Sequence, residues 1–189
     1  MAADTRNRML DATVQALQRH GVAGMSFTQV LADSGAARGA IYHHFPGGKT
    51  QLVAEAAQRN GADINAHLGA LPAADPQEVV RAFLAAVRPV LAASTTGGGC
   101  AVAAVTVGEP GDESTRAVAS TVFQSWTQTL TERLTTAGLE PGQAHGLAVT
   151  LITLLEGAHV LCRAAGTLEP YDQTAGTITA LLGAGPNHR

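Results

Sequence analysis

The stretch from Thr28 to Leu52, TQVLADSGAARGAIYHHFPGGKTQL, constrains this chain more than any other. Ser26, with Gln29 three residues later, is the capping-box signature of a helix start. Val30, Leu31 and Ser34 continue that helix until Gly35 supplies a turn. A second short helix, Ala37–His44, follows with Ile41 and Phe45 as its core anchors. Pro46-Gly47-Gly48 then breaks the chain before a longer helix that starts at Lys49. Two short helices joined by a glycine turn are the order of a helix-turn-helix, whose second helix lies in the DNA major groove.

The flanking sequence is helical as well. Met9, Leu10, Thr13, Val14 and Leu17 recur at helical spacing, so residues 4–20 form an amphipathic first helix closed by Gly21. The helix from Lys49 runs to Leu68, and Leu71 to Pro76 is a loop in which Asp75 caps a helix with Pro76 at its first position. That helix reaches Ala93, with a kink expected at Pro89. Cys100 to Val107 is almost wholly apolar and should be buried on all sides. Glu109-Pro110-Gly111-Asp112 is a loop, helices follow over residues 113–137 and from Pro141 to Ala165, and Pro170 precedes a final helix that ends near Leu182. No stretch alternates like a strand. The expected fold is all-α: a three-helix head over residues 1–48 and a larger helical body over residues 49–189.

Charge separates the same two parts. Residues 1–50 hold five Arg and Lys (Arg6, Arg8, Arg19, Arg38, Lys49) against three acids, whereas the remainder is acidic and the whole chain is −3. A basic head on an acidic body suits a DNA module joined to a module that avoids DNA. Cys100 and Cys162 have no metal-ligand or CxxC spacing and read as core thiols. No charged-then-apolar leader opens the sequence, and the longest apolar run, Leu147–Leu155, is too short to span a bilayer. A cytoplasmic protein is expected.

Chemistry has no assembled candidate. Gly48-Lys49-Thr50 ends like a P-loop, but the first glycine of that signature would fall on His43. Glu156 and His159 are half of a di-iron pattern, with no second pair to complete it. Neither catalysis, nor a metal, nor a cofactor is expected.

The run through Ile41-Tyr42-His43-His44-Phe45 and Lys49 resembles the DNA-binding domain of TetR-family transcriptional regulators. Pro-Gly-Gly-Lys after the Phe, Gly99-Cys100-Ala101-Val102-Ala103 and Leu155-Glu156-Gly157-Ala158 resemble the LmrA/YxaF-like subgroup. The resemblance implies a DNA-contacting set of Thr28, Ala37, Arg38, Gly39, Ala40, Tyr42, His43 and Lys49. Arg38, the one long basic side chain on the proposed recognition helix, suits guanine O6/N7. Gly39 and Ala40 let backbone approach the bases, while Tyr42, His43, Thr28 and Lys49 suit phosphates. Many members carry Ser or Pro at the position of Ala37, which here has neither a cap hydroxyl nor a fixed φ. Phe45 reads as core, and His44 is given no DNA role.

One recognition helix binds weakly, so a two-fold dimer on a palindromic site is expected. The helix after Pro141 is apolar on more than one face, and Leu147, Leu151, Leu154, Leu161, Ile178 and Leu181 are its candidate interface with the last helix. The resemblance also implies a small-molecule pocket. Phe83, Val87, Phe123, Trp126, Ile152 and Leu155 would line it, with Arg88, Glu156 and His159 as its polar groups. The expected function is a ligand-responsive, DNA-binding regulator that acts as a repressor released from its operator by a small molecule. The alternatives are a helical small-molecule-binding or interaction protein that no longer binds DNA, and a metal-dependent bundle enzyme.

Overall fold

The computed structural model describes residues 2–107 and 113–183; the expected loop at Glu109–Asp112 lies outside them. Nine helices and no strand are present among the described residues. They are α1 (Ala2–Gly24), α2 (Phe27–Ser34), α3 (Ala40–His44), α4 (Gly48–Gly69), α5 (Pro76–Ser94), α6 (Ala101–Ala104), α7 (Glu113–Thr136), α8 (Pro141–Ala165) and α9 (Glu169–Gly183).

Contacts group the chain into two compact units, residues 1–63 with 99–123, and residues 64–98 with 124–189. This grouping differs from the boundary at 48/49 read from the sequence. The sequence boundary coincides with the start of α4 at Gly48, whereas the contact grouping divides the chain within α4, after Asp63. The head therefore keeps most of α4 and gains α6 and the start of α7.

In the first unit, α1 packs on α2 and on α6. Met9, Leu17, Val30, Ile41, Phe45, Leu52 and Val102 are completely or almost completely buried. Gly21 interrupts the regular helix of α1 where the sequence placed its end. It adopts φ +66° as a kink, and a further turn runs to Gly24. The Ser26 hydroxyl caps α2 by accepting from the Gln29 amide at 3.2 Å, but the Gln29 side chain donates to Asp33 at 2.7 Å. The capping box is thus only half made. The Cys100–Val107 segment also departs from expectation, because Ala101, Val102 and Val105 are buried while Val107 is 84% exposed. One face of this short helical piece is core; the other meets solvent.

In the second unit α5, α8 and α9 pack pairwise around Val79, Val80, Phe83, Leu91, Trp126, Leu130, Leu134 and Leu151. Asp75 caps α5 by accepting from the Glu78 amide at 2.7 Å, and Glu78 in return accepts from the Ala74 amide at 3.0 Å. This pair is reciprocal, with Glu78 reaching one residue past the cap, to Ala74. Helix α9 begins at Glu169, so Pro170 lies inside its first turn and does not precede it. The whole of α8 is longer and more apolar than the run Leu147–Leu155 suggests. Its mean hydropathy of 1.5 over an 18-residue window is enough, by length and composition, to cross a membrane. Here its apolar face is occupied by α5 and α9, as expected of a core helix.

Candidate nucleic-acid interface

The recognition element is built from anchors and from the side chains they leave facing out. Ile41 and Phe45, four residues apart on one helical face, are buried and fix α3 to the head core. Tyr42 and His43 fall on the opposite side and are exposed, Tyr42 by 64%. Tyr42 is not loose. Its ring stands edge-on to Phe27 of α2, with centroids 6.0 Å apart at 89°. His43 makes a similar contact with His44 at 5.0 Å.

The recognition helix is shorter than the sequence suggested. It starts at Ala40, not Ala37, and its cap position, Gly39, makes no side-chain capping bond. Without a cap hydroxyl at Ala37, nothing satisfies the first amides of a longer helix. The Ala40 amide instead donates to the Ala37 carbonyl at 2.9 Å and closes a turn. Ala37, Arg38 and Gly39 accordingly sit on the approach to α3, all exposed, while Ala40 is half-buried. Arg38 lies at the tip of that turn. Thr28 is exposed near the start of α2, and Lys49 is exposed in the first turn of α4.

Pairing sorts the cations. Arg6 is bound to Glu55, Arg8 lies 3.7 Å from Asp4, and Arg59 lies 2.9 Å from Asp11. Arg38, Lys49 and Arg19 have no ion-pair partner among the described residues. Arg38 and Lys49 bracket α3 in sequence. Uncommitted cations at both ends of a short, anchored helix with an outward Tyr and His can engage phosphates without first breaking an internal pair. Phe27, which seats Tyr42, was missed from sequence; its place one residue after the cap was the available signal.

The other candidate residues fall in the body. Phe83, Val87, Trp126, Ile152, Leu155 and His159 are buried in the second unit, with Glu156 half-buried on α8. Two expected pocket residues do not join them. Arg88 is exposed and bound to Asp172 through two 3.1 Å bonds, which hold its guanidinium on the surface between α5 and α9. Phe123 groups with the first unit. His159 shares a 2.7 Å hydrogen bond with Ser94, and burial, assisted by the charge of Arg163, lowers its pKa from 6.5 to about 4. It is a neutral ring near pH 7.

Of the candidate dimer residues, Leu161 and Leu181 are 56% and 70% exposed, and Leu147, Leu154 and Ile178 are half-buried. Leu151 is completely buried within its own unit, so its apolar surface is already used and it is not available to a partner. Val149 and Val160 of the same helix are exposed as well. Gly146, Thr150, Thr153 and Gly157 add small residues to that exposed side.

Residues 9–56 match the family described as bacterial regulatory proteins, tetR family. Residues 76–177 match the C-terminal domain described as transcriptional regulator LmrA/YxaF-like. An uncharacterized HTH-type transcriptional regulator from Mycobacterium tuberculosis is 36% identical over 184 residues, covering 94% of this chain and 93% of that protein. The HTH-type transcriptional regulator LmrA of Bacillus subtilis is 26% identical, covering 95% and 97%. Among solved structures, a TetR-family regulator from Agrobacterium tumefaciens superposes with TM-score 0.81 at 20% identity, covering 95% and 98%. The reduced form of E. coli NemR gives 0.74 at 22% identity, covering 94% and 97%. These two show the fold.

Proposed function

The chain belongs to the TetR family of bacterial regulatory proteins, LmrA/YxaF-like in its C-terminal domain, and we propose that it works as a ligand-released repressor. It is a DNA-binding transcriptional regulator. In our reading two copies bind a palindromic operator, each placing α3 in the major groove, and cytoplasmic DNA is the partner. The observation that carries this is the pair Arg38 and Lys49, exposed, without ion-pair partners among the described residues, and bracketing a buried-anchored α3. Arg38, at the turn before the helix, suits a guanine edge; Lys49, Tyr42, His43 and Thr28 suit backbone phosphates; Gly39 and Ala40 leave room for close approach.

The exposed apolar residues of α8 and α9 support a dimer. Leu161, Leu181, Val149 and Val160 are expensive to leave in water, and the small residues beside them permit close helix approach. The body supports an effector site among Phe83, Val87, Trp126, Ile152 and Leu155, with Glu156 and His159 as its sparse polar groups. Because His159 is neutral, it serves an effector as a hydrogen-bonding group and not as a cation. An effector that favours the non-binding state by about 2.7 kcal/mol lowers operator affinity by up to about 100-fold.

Fluorescence anisotropy on an operator duplex over a range of salt tests the reading. Binding should weaken steeply with salt, and Lys49→Ala should lower the slope of log K against log salt by about two, one contact from each copy. Binding without salt dependence, or a slope unmoved by Lys49→Ala, counts against it.

A further inference from the structure

We infer that Arg6, Gln51 and Glu55 form a relay that positions the turn after the recognition helix, and with it Lys49, for DNA binding. This rests on the DNA-binding reading above.

The observation is a closed path of contacts within the first unit. The Gly47 amide donates to Gln51 Oε1 at 2.7 Å, and Gln51 Nε2 donates to Glu55 Oε1 at 2.9 Å. Glu55 Oε2 accepts from Arg6 Nη2 of α1. The Arg6 guanidinium lies 4.9 Å from the centroid of the Phe45 ring, the residue that ends α3. The path thus leaves the backbone just after the recognition helix, descends the first two turns of α4 and crosses to α1. It returns over the ring where it began. Each of the two Glu55 oxygens has its own donor, and the bonds to it are charge-assisted.

The relay gives Pro46-Gly47-Gly48 a physical reason. The Gly48 amide donates to the Phe45 carbonyl at 2.9 Å, a turn with Pro46 in its second position, where a fixed φ costs nothing. Gly48 has φ +69°, a conformation that disfavours any side chain. A Cβ at Gly47 would come within 3.0 Å of both Gln51 Cβ and Gln51 Oε1, so only glycine offers its amide to Gln51 undisturbed. Lys49 follows immediately. Its position relative to α3 is therefore set by a turn that the relay holds at both ends, through Gln51 on Gly47 and Arg6 over Phe45. These residues are positioning residues: they act on the interface through the turn.

A purely stabilising role for the relay makes a different prediction, and full-length protein distinguishes the two. The variants are Glu55→Met, Gln51→Ala and Glu55→Gln, the last keeping a single acceptor oxygen for Gln51 or Arg6, because its NH2 group can only donate. Each is measured for affinity to the operator and to a scrambled duplex, for its melting temperature, and for amide exchange at Gly47. Glu55→Met and Gln51→Ala should accelerate Gly47 exchange and weaken binding to operator and scrambled duplex alike, by about tenfold, because the misplaced Lys49 contacts phosphate. Glu55→Gln, with one acceptor oxygen for two donors, should fall between the parent and Glu55→Met. Unchanged operator affinity in a folded Gln51→Ala protein, or unchanged Gly47 exchange in that variant, overturns the proposal. If Glu55→Met does not fold, the half-buried Gln51 position decides alone. A parent protein that binds no duplex at any salt overturns the DNA-binding reading and the positioning role together. Gly47 exchange would still report, independently of DNA, whether the relay holds the turn.

Discussion

Arg38 and Lys49 are available for phosphate and base where Arg6 and Arg59 are not, because the latter already hold Glu55 and Asp11. Removing Arg38 should therefore act on recognition and leave folding alone. Arg38→Ala is expected to cost about 1–3 kcal/mol of operator binding and to relax base preference at one position in each half-site. A uniform loss over all sequences would reassign Arg38 to the backbone. His159 gives a second prediction at this scale. Its folded pKa, about 4, lies below the ordinary 6.5, so the unfolded chain takes up a proton that the folded chain refuses. Its contribution to stability is complete above about pH 6.5 and is lost as the pH falls toward 4. Urea melts over this window should show that loss, and His159→Gln should flatten it; an identical slope in the variant would contradict the burial argument.

Among helices, legibility followed the strength of the local signal. Phe45 as core and Tyr42 as surface were readable because residues 41, 42 and 45 obey helical spacing, and the turn at Gly35 because its φ of +65° suits glycine. The start of α3 was not readable. A hydrophobic period extrapolates backwards past the point where amides lose their partners, and only the absent cap at Ala37 hinted at it. The relay was equally hidden, since Arg6 and Glu55 are 49 residues apart and their meeting is tertiary. Helix packing supplies a further test. A Cβ at Gly61 of α4 would stand 2.4 Å from Val122 Cγ1 of α7, both in the first unit. Gly61→Ala should destabilise the fold by about 1–3 kcal/mol through overpacking, and Val122→Ala in the same chain should recover part of it. Thermal melts of the single and double variants check this, and additivity of the two losses would show that they do not share a contact.

At the scale of the molecule, the sequence announced two parts through the basic head and the acidic body, but not where the contacts divide them. The head's claim on α6 is invisible in a linear reading, since the segment follows α5 and joins α1 only in space. Function at this scale depends on two copies. Leu161→Glu with Leu181→Glu should shift the protein to monomer in sedimentation experiments and remove high-affinity operator binding, because one α3 reads only one half-site. A persistent dimer would move the interface elsewhere.

Selection from a random duplex pool by the purified protein, with anisotropy of the recovered site at two salt concentrations, tests the central claim most directly. The account predicts a palindrome whose half-sites lie about one helical turn apart or a multiple of it, bound less tightly at the higher salt. Recovery of no preferred sequence by folded, dimeric protein would contradict it.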